Sequence, residues 1–216
     1  MKEEVREYLV DVGIGNIIDI NLGAGSVTPV EGLWLPITKF EQSNEWDDLL
    51  NGWWPDVAPS SADARLAFGA IYMTSELVDN ATTHGSSDVG TFVCIQRYTG
   101  KSSRLHSGVW IGIADGGIGI PNHLRRNPKY KSLHDDSDLI RRAREPGVTG
   151  TDDARGWGLF ESFEWAAEVG PSRVLIRSGG GEGDFRVRAK LPIWARYSEM
   201  TPNLGGTWIH LRVEGT

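Results

Sequence analysis

The sequence predicts an α/β sandwich, a mixed sheet with helices on one face, and three observations predict it. Leu66, Ala70, Met73, Leu77 and Ala81 recur at helical spacing. Runs rich in Val, Ile, Phe and Trp at 91–98 and 109–114 read as strands, and further strand-like runs follow at 173–177, 185–191 and 207–213. Between these two groups, Leu159, Phe163 and Ala167 mark one face of a second helix from about Arg155.

Composition sets the class. At 216 residues the chain is long enough to bury a core, and 39% apolar with 24% charged residues excludes a mostly disordered or fibrous protein. No apolar run is long enough to span a bilayer, so no membrane association is expected. The charged start, Met1-Lys-Glu-Glu-Val-Arg-Glu, lacks the apolar stretch of a secretory signal, and a cytoplasmic location is the expectation. A net charge of -7 argues against a general nucleic-acid binder, which needs clustered Lys and Arg to meet phosphates. The single cysteine, Cys94, lies in an apolar run and reads as a small strand hydrophobe.

Residues 1–60 read as an extension, its periodicity broken by Gly13, Gly15, Gly23 and Gly25. Within it 33–37 suggests a short strand with an edge or boundary proline, and 51–55 a turn. Trp34, Trp46, Trp53 and Trp54 are expected in a core or domain contact, with a homodimer interface as the alternative. From residue 61 the signals sharpen. Ser60 and Asp63 fit a capping box, a helix of about six turns follows, and Gly85 fits its C-cap. On that helix Tyr72, Glu76, Asn80 and His84 form a second line, about 100° from the apolar stripe. The Gly-Lys-Ser run at 100–102 resembles the end of a phosphate-binding loop, but Ile95 holds the place of the required glycine and a strand follows, so a hairpin turn is expected. Dense mixed charge over 121–155 predicts a mobile loop, and the glycines at 179–183 a hairpin.

Three segments carry chemistry. In Glu76-Leu-Val-Asp-Asn80 the i, i+4 spacing aligns a carboxylate able to orient or deprotonate a nucleophile with an amide oxygen able to bind a hard cation. Asp115-Gly-Gly-Ile-Gly119 puts a carboxylate at the exit of an apolar strand, before glycines that permit close backbone approach. Gly156-Trp-Gly158-Leu159 opens a helix whose free N–H groups favour an anion such as a phosphate, with Arg155 as a counter-charge.

In this order the segments resemble the N box and two glycine boxes of the GHKL superfamily of ATPases and kinases, a group that includes gyrase, heat-shock chaperones and histidine kinases. The likeness covers about residues 61–216, closest in style to the ATP-binding domains of histidine kinases and anti-sigma serine kinases. It implies a two-layer Bergerat fold with a mostly antiparallel sheet, a lid at about 120–155, and ATP and Mg2+ as ligands. By that resemblance Glu76 is the catalytic base or water-positioning residue, Asn80 the magnesium ligand and Asp115 the acceptor for the adenine amino group. Gly117 and Gly119 form a lid hinge, Gly156 and Gly158 contact phosphates, and Thr207 supports Asp115 through a water. His84 is read as a structural cap. Trp157 departs from branches with a small residue there, and would stack on the ligand or alter lid closure. With no phosphoacceptor His in an upstream helix pair, any acceptor is expected on another chain. The implied function is ATP hydrolysis or γ-phosphoryl transfer to a protein partner, the alternatives being a nucleotide-gated interaction module with little turnover and a degenerate domain that binds no nucleotide.

Overall fold

The computed structural model describes residues 33–57, 64–84, 87–98, 108–151, 156–188 and 191–214. The chain is mixed α/β. Five strands, β1 (Leu33–Phe40), β2 (Thr91–Tyr98), β3 (Gly108–Asp115), β4 (Ser172–Val187) and β5 (Trp194–Glu214), form one sheet in the order β1-β2-β3-β5-β4. Every neighbouring pair among them is antiparallel. Among the described residues five helices accompany it, α1 (Ser43–Val57), α2 (Ala64–His84), α3 (Gly119–Leu124), α4 (Asp136–Ala143) and α5 (Gly158–Val169), with a 3-10 turn at Pro128–Tyr130.

Alternation along the strands decides where the core lies. Val93, Ile95, Val109, Ile111, Ile176, Leu211 and Val213 are buried on one face, while the intervening Cys94, Gln96, Trp110 and Arg212 are only half-buried. The buried strand residues join Ala70, Met73, Leu77 and Val78 of α2, Ile140 of α4 and Phe163 and Ala166 of α5 in one cluster. Cys94 is a half-buried strand residue whose thiol burial pushes up to about 11, which makes it unreactive as a nucleophile.

The span assigned by sequence to an extension supplies two of these elements. β1 runs along the sheet edge beside β2, the position where Pro36 costs no ladder bond, and its register shifts between Leu35 and Thr38. The 51–55 segment is helical, not a turn, because α1 is held by tertiary contacts that override Gly52 and Pro55. Glu45 accepts the backbone N–H groups of Glu41 and Gln42 at 2.6 and 3.2 Å, closing the helix start. Trp46 is 2% exposed, meets Phe40 edge-on and donates its indole N–H to Ser75 Oγ at 2.8 Å.

Two further expectations are corrected. The stretch expected as a mobile loop is folded over its described part, 121–151: Leu124, Tyr130, Leu139, Ala143 and Val148 bury one another in a small second cluster. Its charge hid that pattern, since each short element contributes only one or two apolar residues and the charges pair locally, Arg125 with Asp136 at 2.7 Å and Arg142 with Glu145 at 3.0 Å. The glycines at 179–183 likewise form no hairpin. β4 passes straight through them, with register shifts around Gly179, and pairs with β5 along its length. They permit close approach instead: a Cβ on Gly181 would lie 2.6 Å from the backbone of Asp136 and Ser137, and Gly180 N–H donates to Asp136 Oδ2 at 2.7 Å. The start of α4 therefore seats on the strand itself.

The Ser60 and Asp63 capping box, Gly85, the Gly-Lys-Ser run at 100–102 and Arg155 lie outside the described residues, as do the side chains of Trp34, Trp53 and Trp54.

Candidate functional site

Six of the eight site residues expected from sequence, Asn80, Asp115, Gly119, Gly156, Gly158 and Thr207, line one open cleft enclosing about 830 Å³, part of it open to solvent. Its walls are mainly apolar, with Leu77, Ile113 and Ile209 from the helix and sheet and Leu124 and Val148 from the second cluster. A mainly apolar cleft with a few converging polar groups is the usual form of a small-molecule site. The remaining two, Glu76 and Gly117, touch its lining.

Asp115 ends β3 and is only 5% exposed. Its Oδ1 accepts the Gly117 N–H at 2.8 Å, the closed turn that two glycines after the Asp permit. Burial pushes its carboxyl above the ordinary range, and the Gly117 and Thr207 backbone N–H groups offset part of that. Thr207 lies opposite Asp115 in the β3–β5 register. Its hydroxyl is 3.0 Å from Ser178 Oγ, which donates to Gly206 O at 2.8 Å and accepts the Ile120 N–H at 2.8 Å. With the Ser178 proton committed to Gly206, Thr207 is the donor between the two hydroxyls. Ser178 is fully buried and ties β4, β5 and the start of α3 together behind Asp115. It was not singled out from sequence, and a lone serine at the end of a strand run gives little signal.

The glycines act by absence of a side chain. Gly119 has φ +75, and a Cβ there would lie 2.7 Å from Ser178 Oγ and 2.8 Å from Gly206 O. Gly156, at φ +96, would overlap the Val148 carbonyl, and its own carbonyl accepts the Gly147 N–H at 3.1 Å. Gly158 brings the first and third segments together: its Cβ would lie 2.7 Å from Glu76 Oε2 and 3.0 Å from Asn80 Nδ2. Gly158 is also the first residue of α5, and Trp157 before it makes no side-chain cap, so the helix N-terminus presents N–H groups beside Asn80 and Glu76. The Trp157 indole is 49% exposed and meets Phe160 edge-on.

Glu76 is half-buried between α2 and α5, and burial, followed by the nearby Glu161 and Asp79, raises its carboxyl above the ordinary range. Glu161 was not foreseen. It accepts the Tyr72 hydroxyl proton at 3.1 Å, one turn along α2 from Glu76. Among the described residues no group of three or more His, Cys, Asp or Glu side chains is gathered to hold a metal ion. A cation here would depend on Asn80 together with oxygens of a ligand.

His84, expected as a helix cap, has its ring 4.5 Å from that of His123, and both line the cleft. His123 Nε2 accepts the Gly150 N–H at 3.2 Å, linking α3 to the far end of the folded segment. Burial, then the charges of His84 and Arg126, pushes the His123 imidazole down to about 4, well below the usual value of 6.5. The unfolded chain therefore takes up a proton near pH 6.5 that the folded protein refuses until about pH 4. Stability should fall as pH drops through that window, and His123→Gln should show a smaller fall in melting temperature between those limits. Equal slopes in both proteins would remove His123 from the account.

A scan against protein-family models matches none, and a search of curated proteins likewise finds no match.

Proposed function

We propose that the cleft binds Mg-ATP and that the chain acts in the manner of the GHKL ATPases and kinases, its sheet and helices forming the two-layer Bergerat sandwich of that group. The observation that carries this reading is the convergence of the three segments on one cleft, which a buried Asp115 lines together with the uncapped start of α5 at Gly158, itself against Asn80 and Glu76. Asp115 suits an exocyclic amino group, because a buried carboxylate gains most from a donor. Ile113, Ile209 and Leu77 suit the faces of a purine, and the helix start suits phosphate oxygens.

Bound there, Mg-ATP would supply the electrophilic γ-phosphorus: the nucleophile bonds to it as its bond to the β–γ bridging oxygen breaks and ADP leaves, and the cation would offset the charge on the phosphate oxygens. The chain's own part is to hold and orient. Asn80 would hold the cation through its amide oxygen, the α5 N–H groups would take phosphate oxygens, and Glu76 would accept the proton of a water or hydroxyl. A carboxylate raised above its ordinary range is the better base for this. When the acceptor is a protein, its hydroxyl or imidazole comes from another chain.

Glu76→Ala tests the catalytic part. Phosphate release should fall at least about a hundredfold while ATP affinity stays within about threefold, as expected for a residue acting on the nucleophile. Unchanged turnover would reject Glu76 as the base. A second reading has its own support: the folded segment 119–151 borders the cleft and is pinned at both ends by His123 and Gly150. A ligand would then set the position of that surface for a protein partner. Wild-type protein that binds ATP but releases no phosphate, with or without a partner, would favour this gated module.

A further inference from the structure

The outer surface of α2 and α5 is aromatic and acidic, and none of the three motifs accounts for it. The two helices lie side by side in opposite directions and meet at successive points. A Cβ on Gly69 would overlap Val169, the Tyr72 and Trp165 ring centroids are 5.0 Å apart, and Gly158 sits against Asn80. At helical spacing the side of α5 turned from the core carries Trp157, Glu161, Glu164, Trp165 and Glu168, while Ser162, Phe163 and Ala166 are buried. α2 adds Phe68 and Tyr72, which are neighbours one turn apart. Phe68 is 61% exposed, Trp157 49% and Trp165 39%. Single exposed apolar residues are ordinary, but Phe68, Tyr72 and Trp165 form one strip across two helices. A solvated helix face also normally mixes both signs of charge, whereas α5 has no Lys or Arg and α2 has none from Phe68 onward.

We propose that this face docks a basic segment of a protein partner, its Arg or Lys side chains lying over the aromatic rings and against the glutamates between them. Charge complementarity selects that occupant. An aromatic ring offers its negative face to a cation, and a carboxylate beside it adds an ion pair to the same guanidinium or ammonium. Glu161 accepts the Tyr72 hydroxyl proton at 3.1 Å, which orients that ring, and Glu164 and Glu168 stand exposed on the same side of α5 as Trp165. Trp and Tyr are the side chains that most often anchor interfaces, and Arg is their frequent counterpart. A second copy presenting the same face would set glutamate against glutamate on a chain of net charge -7, and an anionic lipid surface would be repelled for the same reason. The docking goes beyond the nucleotide reading and needs no ligand in the cleft.

The test is fluorescence anisotropy with the full chain and no nucleotide, titrated into a labelled amphipathic peptide of Leu, Lys and Arg and into the same peptide with Glu in place of each base. The basic peptide should bind, the acidic one should not, and the affinity should fall with added salt. Trp165→Ala and Glu164→Lys should each weaken binding at least about fivefold, with Trp165→Phe and Glu164→Asp keeping most of it. All four are surface changes, and unchanged melting temperatures would show the variants folded. Trp208→Ala, at a comparably exposed tryptophan on the sheet face turned from the helices, should leave the affinity unchanged. Equal losses in Trp165→Ala and Trp208→Ala, or an affinity that ignores Glu164→Lys, would overturn the proposal, because a merely sticky or merely acidic protein behaves that way. A wild-type dimer in sedimentation that Trp165→Ala disperses would overturn it in favour of a second copy, and Trp165-dependent retention by phosphatidylserine vesicles in favour of a lipid surface. Without nucleotide in the experiment, a protein that never binds ATP passes or fails in the same way.

Discussion

Gly206→Ala should lower the unfolding free energy by about 3 kcal/mol or more, the combined scale of a left-handed non-glycine residue and an overpacked core. Gly206 sits at φ +77, where an L side chain is strained, and its added Cβ would overlap the Asp115 carbonyl. That neighbour is backbone in the centre of the sheet, paired through β3 and β5, so it has no rotamer to yield into. The Asp115 side chain, 2.9 Å from the added atom, would also be displaced, and the Gly206 carbonyl accepts from buried Ser178. Gly205 is the matched control, with nothing within 4 Å of its Cβ. Urea unfolding should therefore separate the two variants, with the midpoint of Gly206→Ala far below the wild type and that of Gly205→Ala close to it. Equal midpoints would mean that the β3–β5 crossing at Asp115 is looser than the geometry indicates.

Asp115→Asn should weaken ATP binding by about ten- to a hundredfold, corresponding to loss of a charge-assisted hydrogen bond of roughly 1.5 to 3 kcal/mol. The substitution keeps the shape. Its amide oxygen can still accept the Gly117 N–H, which turns the amide nitrogen, a donor, to the place where an adenine amino group would also donate. Stability without ligand should hold or rise slightly. Asp115 is buried with its carboxyl raised, so ionising it opposes folding, and a neutral amide relieves that cost. Thermal melts would therefore show an unchanged or higher melting temperature without nucleotide and a smaller rise on adding it. A variant that melts well below the wild type without nucleotide would mean that the Asp115 charge holds the fold together, and affinity losses could then not be assigned to adenine.

Much of the site was legible because its elements announce themselves locally. The α2 stripe, the β2 and β3 runs and the glycines around Asp115 follow from periodicity and turn chemistry, and Asn80 lines the cleft while Glu76, one turn before it, lies against Gly158 of the lining. What sequence could not give depends on residues far apart in the chain. α1 is stabilised by Trp46 reaching Phe40 and Ser75, which outweighs the turn signals of 51–55. The glycines of 179–183 resemble a hairpin until α4 is seen resting on them, since a residue needed for a turn and one needed for close packing are the same residue in sequence. Ser178, His123 and Glu161 earn their places only through partners 29, 27 and 89 residues away. The cluster of Leu124, Tyr130, Leu139, Ala143 and Val148 was obscured by the ion pairs that surround it.

The central claim is that Asp115 reads an adenine in this cleft, and paired calorimetric titrations of Mg-ATP and Mg-GTP into the wild-type protein test it most directly. Guanine presents a carbonyl oxygen where adenine presents an amino group, so a carboxylate that welcomes one repels the other. ATP should bind with measurable heat and raise the melting temperature, with GTP at least about a hundredfold weaker. No heat with ATP and no thermal stabilisation, or equal affinity for both nucleotides, would contradict the account.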